Sequence, residues 1–513
     1  MKRSGKHTLI IAMVCMFALT TNLSHAKPAP GGSASDKPNV IMFVMDDLNC
    51  WVNPLGYNQV KTPNLERLAK AGVTFMNAHA PGVFCAPSRT AIWTGLQAST
   101  TGCYTNEVFR YDYPDMVTLQ TSFKQAGYTT YAAGKLYHHR GGYVDLRDWD
   151  EYFSRSQEMR DMGWEMNGYH MNDVPRPEPF PYSPYFKKYG KKSGYSAGHL
   201  EWGPIPNEKE DDMFDAMRTN WMCDVLKRKQ DKPFFVALGL YSPHYPNYAP
   251  QKYFDLYDRE KIEVPPYKED DLDDLPPKIK KQYTNRSKQH MQLVELGALK
   301  DAIHAYLASV SFADAMLGRI LDTLEATPYK DNTIIVFWSD QGFHHGEKGN
   351  WGKHTLWDST THVPFIWAGK GIPKDQKVTT TVSLIDMYPT FAELCKLPVD
   401  KKLEGVSLAS TLKNPATAKE RNVFIPHMYR ESYAVVNSNW RYIQYDDGTE
   451  ELYHRKRDPN EWDNLANQIE YRPIIKTLQK EAPAEFAPQA TLKNNLNLVV
   501  EGDTFHWEKK KKK

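Results

Sequence analysis

At four separate places in this chain an apolar run ends directly on polar, chemically capable residues. That pattern constrains the fold more than any other feature. Asn39-Val40-Ile41-Met42-Phe43-Val44-Met45 reads as a fully buried strand and stops at Asp46-Asp47. A second strand, Tyr128–Ala133, leads to Lys135 and His138. A third, Pro233–Tyr241, leads to His244, and a fourth, Thr333–Trp338, to Asp340 and Gln341. Val363–Trp367 reads as one more strand. Helices fall between them. Thr62-Pro63 supplies an N-cap and a proline at the first helical position, with Gly72 closing the helix. Thr118–Ala126 is a short helix stopped by Gly127. Ile303, Leu307, Val310, Leu317, Ile320, Leu321 and Leu324 share one face of a long amphipathic helix. Strands alternating with helices predict a mainly parallel α/β sheet. Ligands of open α/β sheets bind beyond the carboxyl ends of the strands. The four polar groups are therefore expected to converge, although they are far apart in sequence.

At 513 residues the chain has room for two to four domains, or for one large α/β unit and a smaller partner. Its net charge of +2 creates no global field, which argues against a nucleic-acid partner. Residues 1–26 read as an export signal. Lys2, Arg3 and Lys6 are its basic start, Leu9–Leu19 is an apolar stretch too short to span a bilayer, and Ser24-His25-Ala26 fits a cleavage site. No later stretch is long and apolar enough for a membrane helix. The expectation is export to the periplasm or the medium. Asn285-Arg286-Ser287 is the only N-x-S/T sequon of the mature chain, and such sparseness favours a bacterial source.

Residues 27–37 read as a flexible lead-in, 38–420 as the catalytic domain, 421–505 as a small antiparallel subdomain and 506–513 as a solvated basic tail. Within the subdomain, Asn437-Ser438-Asn439 and Asp446-Asp447-Gly448 make the turns. Residues 140–215 and the heavily charged 257–290 are expected as surface insertions near a functional face. Export permits disulfides. The mature chain keeps Cys50, Cys85, Cys103, Cys223 and Cys395, an odd number, so one is unpaired or chemically special.

Asp46, Asp47, Asp340 and the Gln341 amide offer hard oxygen donors, which select calcium or magnesium over zinc. An Asp-Asp pair by itself is more often a turn or a cap. The sharpest segment is Phe84-Cys85-Ala86-Pro87-Ser88-Arg89-Thr90-Ala91-Ile92-Trp93-Thr94-Gly95. Pro87 and Ser88 suit the first turn of a helix ending near Gly95. Cys85 then sits just before a helix N-terminus, where the dipole favours negative charge, and Arg89 lies one turn along. A cysteine alone would more often be buried or disulfide-bonded.

The string Cys85-x-Pro87-Ser88-Arg89, followed by Thr94-Gly95, resembles the signature of type I sulfatases, in which the cysteine is oxidised to formylglycine. Gly134-Lys135-x-x-His138, Ser339-Asp340-Gln341-Gly342 and Gly346-Glu347-Lys348-Gly349-x-Trp351-x-Lys353 are similar to further elements of that family. So is the C-terminal set Glu451-Leu452-Tyr453, Asp458-Pro459 and Asn464-Leu465. Tyr306–Ser311 and Thr361–Pro364 look like iduronate-2-sulfatase and its bacterial relatives. The resemblance implies an alkaline-phosphatase-like fold: a large, mixed, mostly parallel sheet flanked by helices, plus a small C-terminal antiparallel subdomain. It implies calcium held by Asp46, Asp47, Cys85, Asp340 and Gln341. It implies that Lys135 and Lys353 neutralise the sulfate, that Arg89 holds residue 85, that His244 protonates the departing oxygen and that His138 takes a proton from residue 85. It also implies a sulfated oligosaccharide or polysaccharide as substrate and a formylglycine-generating maturation enzyme as partner. Two positions depart from the pattern: Gln341 stands where Asn or His is common, and Lys348 where His is common. The alternatives are a phosphodiester or phosphonate ester hydrolase on the same fold, or a non-catalytic binder of sulfated glycans.

Overall fold

The computed structural model of the chain describes residues 37–138, 146–153, 183–189, 200–205, 209–400, 402–492, 496–501 and 504–509. The proposed export signal and most of 140–215 lie outside the described residues. The main sheet is built from β1 (Asn39–Met45), β2 (Gly72–His79), β3 (Thr129–Gly134), β4 (Glu151–Phe153), β5 (Phe234–Gly239), β6 (Thr333–Ser339), β7 (His362–Gly369) and β8 (Gln376–Val378). Their spatial order is β8-β2-β7-β6-β1-β5-β3-β4, and the short strand Val382–Ser383 pairs with β2. β1 lies between β5 and β6, parallel to both, and β3 pairs in parallel with β5 and β4. β7 runs against β2 and β6. The sheet is therefore mixed and mostly parallel.

All seven residues of β1 are buried. Alternate side chains serve opposite faces. Val40, Met42 and Val44 join one core, and Ile41, Phe43 and Met45 join the other. A strand covered on both faces needs an unbroken apolar run, which is why β1 was readable. β2 was not read. Thr74, Asn77 and His79 interrupt its apolar run, and Gly72, taken as the end of the preceding helix, opens this strand instead. That helix, α1 (Pro63–Lys70), ends one residue earlier at Ala71.

The long helix Leu299–Glu325 buries Ile303, Leu307, Val310, Leu317, Ile320, Leu321 and Leu324, as its spacing predicts. The charged stretch 257–290 holds more order than expected. It includes most of a 19-residue helix, Pro277–Glu295, that buries Ile279, Tyr283, His290 and Leu293. Four anchors in five turns give a weak apolar signal.

A four-stranded antiparallel sheet follows, formed by β9 (Val423–Pro426), β10 (Tyr433–Val436), β11 (Trp440–Gln444) and β12 (Glu450–His454). Ile425, Ala434, Val436 and Ile443 on one face merge with the core of the main sheet. Tyr433, Val435, Tyr442 and Leu452 on the other face pack on Ile475 and Leu478. The tail expected from residue 506 is instead paired: Thr504–Lys509 forms a hairpin with Leu496–Glu501. Cys50, Cys85, Cys103, Cys223 and Cys395 are all free thiols, so the disulfides that export would permit are not formed. Among the described residues, no helix is long and apolar enough to cross a membrane.

Candidate active site

The strand ends deliver their polar residues to one place. Asp46 and Asp47 follow β1, Lys135 follows β3, His244 follows β5, and Asp340 and Gln341 follow β6. Cys85 faces them as the first residue of the helix Cys85–Thr94, one position further in than its sequence suggests. Gly95 ends that helix in the left-handed region at φ 70°. Where β3 and β5 end, Gly134 and Gly239 are direct partners. A Cβ on Gly239 would lie 2.1 Å from the Lys135 carbonyl oxygen, so the backbone can enter the site here only without a side chain.

The contacts are short and charged. Arg89 Nη2 lies 2.9 Å from Asp46 Oδ1, and Arg89 Nε lies 2.7 Å from Asp340 Oδ2. Lys135 pairs with Asp46 Oδ2. Lys353 Nζ reaches both Asp47 oxygens, at 2.6 and 2.9 Å, and sits 3.2 Å from Cys85 Sγ. Cys85 Sγ is 3.6 Å from Asp46 Oδ1, 3.6 Å from Lys135 Nζ and 3.5 Å from Gln341 Nε2. His244 Nε2 lies 3.6 Å from Asp47 Oδ2, while its Nδ1 faces the Tyr245 carbonyl at 2.5 Å. Nine of the ten residues expected at the site are thus brought together. The tenth, His138, is half-buried three residues past Lys135, at the edge of the undescribed stretch 139–145.

Burial opposes charge on Asp46, but Lys135, His244, Arg89 and Lys353 outweigh it and hold the carboxyl well below its usual range. Asp47 has fewer cations. Burial, with Asp46 and Asp340 beside it, pushes its carboxyl up to about 7 despite Lys353. Burial, then Asp46, pushes the Cys85 thiol up to about 12. As a cysteine, residue 85 is a protonated thiol, and a thiol is a far weaker nucleophile than a thiolate.

Three carboxylates converging on one point repel each other unless cations lie between them. Oxygen and sulfur atoms of Asp46, Cys85 and Asp340 lie within 4.8 Å of one another. Asp46, Asp47 and His244 form a second such set. Oxygen-rich donors of this kind suit a hard divalent ion. Gln341 was expected to turn its carbonyl to that ion. Here its amide nitrogen faces Asp47 and Cys85, and its Oε1 is buried with no hydrogen-bond partner. A rotation of the amide would exchange the two atoms, so the buried, unmatched oxygen fits a cation between the carboxylates.

Several supports have no clear sequence signal. Asp47 adopts φ 61°, which costs a residue with a Cβ, and is pinned by its N–H on Asp340 Oδ1 at 3.3 Å and the Tyr306 hydroxyl on its carbonyl at 3.2 Å. Ser88 Oγ donates to the Asp340 carbonyl at 2.5 Å. Asp215 accepts the Tyr241 and Ser242 N–H groups at 3.1 and 2.8 Å, shaping the turn that carries His244. Asp215 lies on a helix of ordinary polar pattern, so nothing in the sequence marks it. Lys348, the second departure from the family pattern, does not enter the site. It is buried against Asp271 at 2.9 Å and over the Trp357 ring at 4.9 Å.

A buried cysteine on a helix N-terminus, an acidic cluster with oxygen donors and a ring of cations, all at the carboxyl edge of a mostly parallel sheet, suit a hydrolase of anionic esters. The comparisons with known proteins are specific. The sequence model of the family described as Sulfatase matches residues 38–397, and one described as N-sulphoglucosamine sulphohydrolase, C-terminal, matches residues 346–485. A protein named Sulfatase from Formosa agariphila is 39% identical over 458 residues, covering 87% of each chain. Iduronate 2-sulfatase of Mus musculus is 28% identical, covering 72% of this chain and 71% of that one. The solved phosphonate monoester hydrolase of Silicibacter pomeroyi superposes with a TM-score of 0.71 at 18% identity, over 93% of this chain and all of the other, a likeness of fold. The chain belongs to the sulfatase family, with its alkaline-phosphatase-like fold. It is a sulfuric ester hydrolase.

Proposed function

We propose that the protein hydrolyses a sulfate ester on a sulfated carbohydrate, using residue 85 as formylglycine and a bound calcium ion. The observation that carries this reading is the meeting of Cys85 Sγ with Asp46, Lys135, Gln341 and Lys353, all within 3.6 Å. Asp46, Asp47, Asp340 and Gln341 would hold the calcium, and residue 85 would complete the set. Bound there, calcium neutralises charge that builds on the sulfate. Formylglycine, as its hydrate, supplies a hydroxyl nucleophile that a protonated thiol does not.

The other side chains have separable tasks. Lys135 and Lys353 present ammonium groups to an anionic ester, in a site where low dielectric strengthens each contact. Arg89, fixed by Asp46 and Asp340, keeps residue 85 oriented. His244 Nδ1 is held by the Tyr245 carbonyl, which leaves Nε2 aimed at the centre to deliver a proton to the departing sugar oxygen. His138 is assigned the complementary task, taking a proton from residue 85, on the family resemblance. The carbohydrate class is supported by the similarity to iduronate 2-sulfatase. Export, and maturation by a formylglycine-generating enzyme, are part of the same reading.

The test is sulfate release from sulfated uronic-acid, galactose and glucosamine oligosaccharides, with protein co-expressed with a formylglycine-generating enzyme. Release from the wild type that disappears in Cys85→Ala is the expected outcome. Residue 85 converted by mass spectrometry, with phosphonate esters cleaved and no sulfate released, would replace this reading with the phosphonate one.

A further inference from the structure

Arg286 is a cation that the mechanism above does not use, although it stands beside the centre. It lies on the helix Pro277–Glu295 and is half-buried. Its Nη1 donates to the Lys353 carbonyl at 2.9 Å, and its guanidinium rests 5.1 Å from the Tyr283 ring centroid. Tyr283 in turn donates to the His354 carbonyl at 3.2 Å. One lysine side chain further on, Lys353 Nζ is 3.2 Å from Cys85 Sγ. The His354 ring packs 5.0 Å from Phe84, the residue before Cys85. Arg286 is therefore held against the same short segment that carries Lys353.

What sets it apart is the absence of a counter-charge. Buried Arg89, Arg110, Arg218 and Arg441 each pair with a carboxylate. Among the described residues, no carboxylate pairs with Arg286, and its Nε and Nη2 have no hydrogen-bond partner. Its charge is felt by Tyr283 and by His344 and His427, and in the two histidines it reinforces the effect of burial in keeping the imidazole neutral. Its free face keeps contact with water, and a half-buried guanidinium with unused donors is open to an anionic ligand. Propping one carbonyl needs one donor, which Lys or Gln could supply. A planar fork with two donors to spare matches a carboxylate or a sulfate.

We propose that Arg286 binds a second anionic group of the substrate, carried on the sugar ring that bears the scissile sulfate or on the ring next to it. The substrate class is then a sulfated uronic acid or a polysulfated sugar, not a singly sulfated neutral one. The inference rests on the sulfatase reading for the position of the scissile group.

Two measurements test it. The first compares kinetics on a 2-O-sulfated uronyl disaccharide, glucosamine disulfate and the singly charged 4-nitrophenyl sulfate. Arg286→Gln is expected to raise KM for the doubly charged sugar that fits by tenfold or more beyond its effect on 4-nitrophenyl sulfate. Its kcat should change less than threefold, and Arg286→Lys should recover part of the loss. The sugar affected identifies the second anion as carboxylate or sulfate. Equal losses on all three substrates would overturn the inference and leave Arg286 as a prop for Lys353.

The second measurement titrates the two doubly charged sugars into Cys85→Ala protein by calorimetry, which needs no conversion of residue 85. Adding Arg286→Gln should weaken binding at least tenfold. Unchanged affinity, or no binding of either sugar, would overturn the inference. Arg286-dependent binding without sulfate release from the converted wild type would uphold Arg286 and defeat the proposed sulfatase chemistry instead.

Discussion

Gln341 is completely buried, and its carbonyl oxygen is the unmatched atom of a site otherwise crowded with contacts. On the proposed chemistry that oxygen turns to calcium. Calcium should then raise the melting temperature of the wild type over protein in chelator, by ligand linkage worth about 2.7 kcal/mol at a hundredfold excess over Kd. Gln341→Ala should lose much of that rise, read by thermal melts with no substrate present. An undiminished rise would remove Gln341 from the metal set. Much of this scale was legible in the sequence. Asp46, Asp47, Lys135, His244, Asp340 and Gln341 each follow a buried strand, and the parallel topology carries them to one edge. Among the supports only Ser88 was legible, as part of the sulfatase-like string, and their contacts were not. Asp215 and Ser88 act through backbone groups far away in sequence, and the left-handed turn at Asp47 leaves no compositional trace.

Elements hold the site through close approach and through one clamp. Gly134 and Gly239 let β3 and β5 touch where Lys135 begins. Gly239→Ala places a methyl against backbone, which costs about 1–3 kcal/mol as overpacking does elsewhere. It should also lower kcat by moving Lys135; a variant with unaltered denaturant midpoint and turnover would show that the strands can part. The clamp grips His354. Its carbonyl accepts from Tyr283 at 3.2 Å and faces His427 Nε2 at 3.2 Å, and its own N–H donates to the Val83 carbonyl at 3.0 Å. His427 Nδ1 accepts the Tyr429 N–H at 3.3 Å, an arrangement that requires a neutral ring. Burial accordingly holds its imidazole down, at about 4. In the unfolded chain the same group takes up a proton below about pH 6.5. Between pH 6.5 and 4 the unfolded state therefore binds more protons, and stability falls as pH falls, by at most about 1.4 kcal/mol per pH unit. His427→Gln should flatten the decline of melting temperature over that window, and an unchanged slope would assign the acid sensitivity to other groups. The helix Pro277–Glu295, which supplies Tyr283 to this clamp, was hidden in the sequence because its four buried anchors are scattered among six charged residues and many uncharged polar ones.

At the scale of the molecule, one of the hydrophobic cores is shared by two sheets. Ile425, Ala434, Val436 and Ile443 of the antiparallel sheet lie in the same cluster as Val40 and Met42 of β1. Arg441, fully buried on that sheet, donates to the Leu356 carbonyl at 2.7 Å and pairs with Asp358 at 2.5 Å, beside the segment that ends in Lys353. Trp357 Nε1 donates to Glu451 at 2.8 Å. Ile425→Ala should cost about 2–5 kcal/mol, in line with other large-to-small core changes. It should shift a single melting transition that includes the active-site sheet. Two resolved transitions, with only one displaced, would mean that the sheets unfold independently. Three of the antiparallel strands and the turns between them were readable from the sequence, but β9 was not, and neither was the fusion with the main core, since packing between elements distant in the chain leaves no local periodicity.

Cys85 is 1% exposed. Its enclosure is finished by Lys353, 268 residues further along the chain. At about 5–20 residues per second, the ribosome needs roughly 10–50 s to make that length. Chemistry performed on the thiol by another protein belongs to this interval, or to a chain kept open for export. Once β6 and the Lys353 segment have closed over it, the residue is buried, and on the proposed chemistry a molecule that folds with its cysteine untouched has missed its opportunity to mature. On the proposed formylglycine chemistry, the yield of active protein is set by a race between maturation and folding, and a variant that folds more slowly matures more fully.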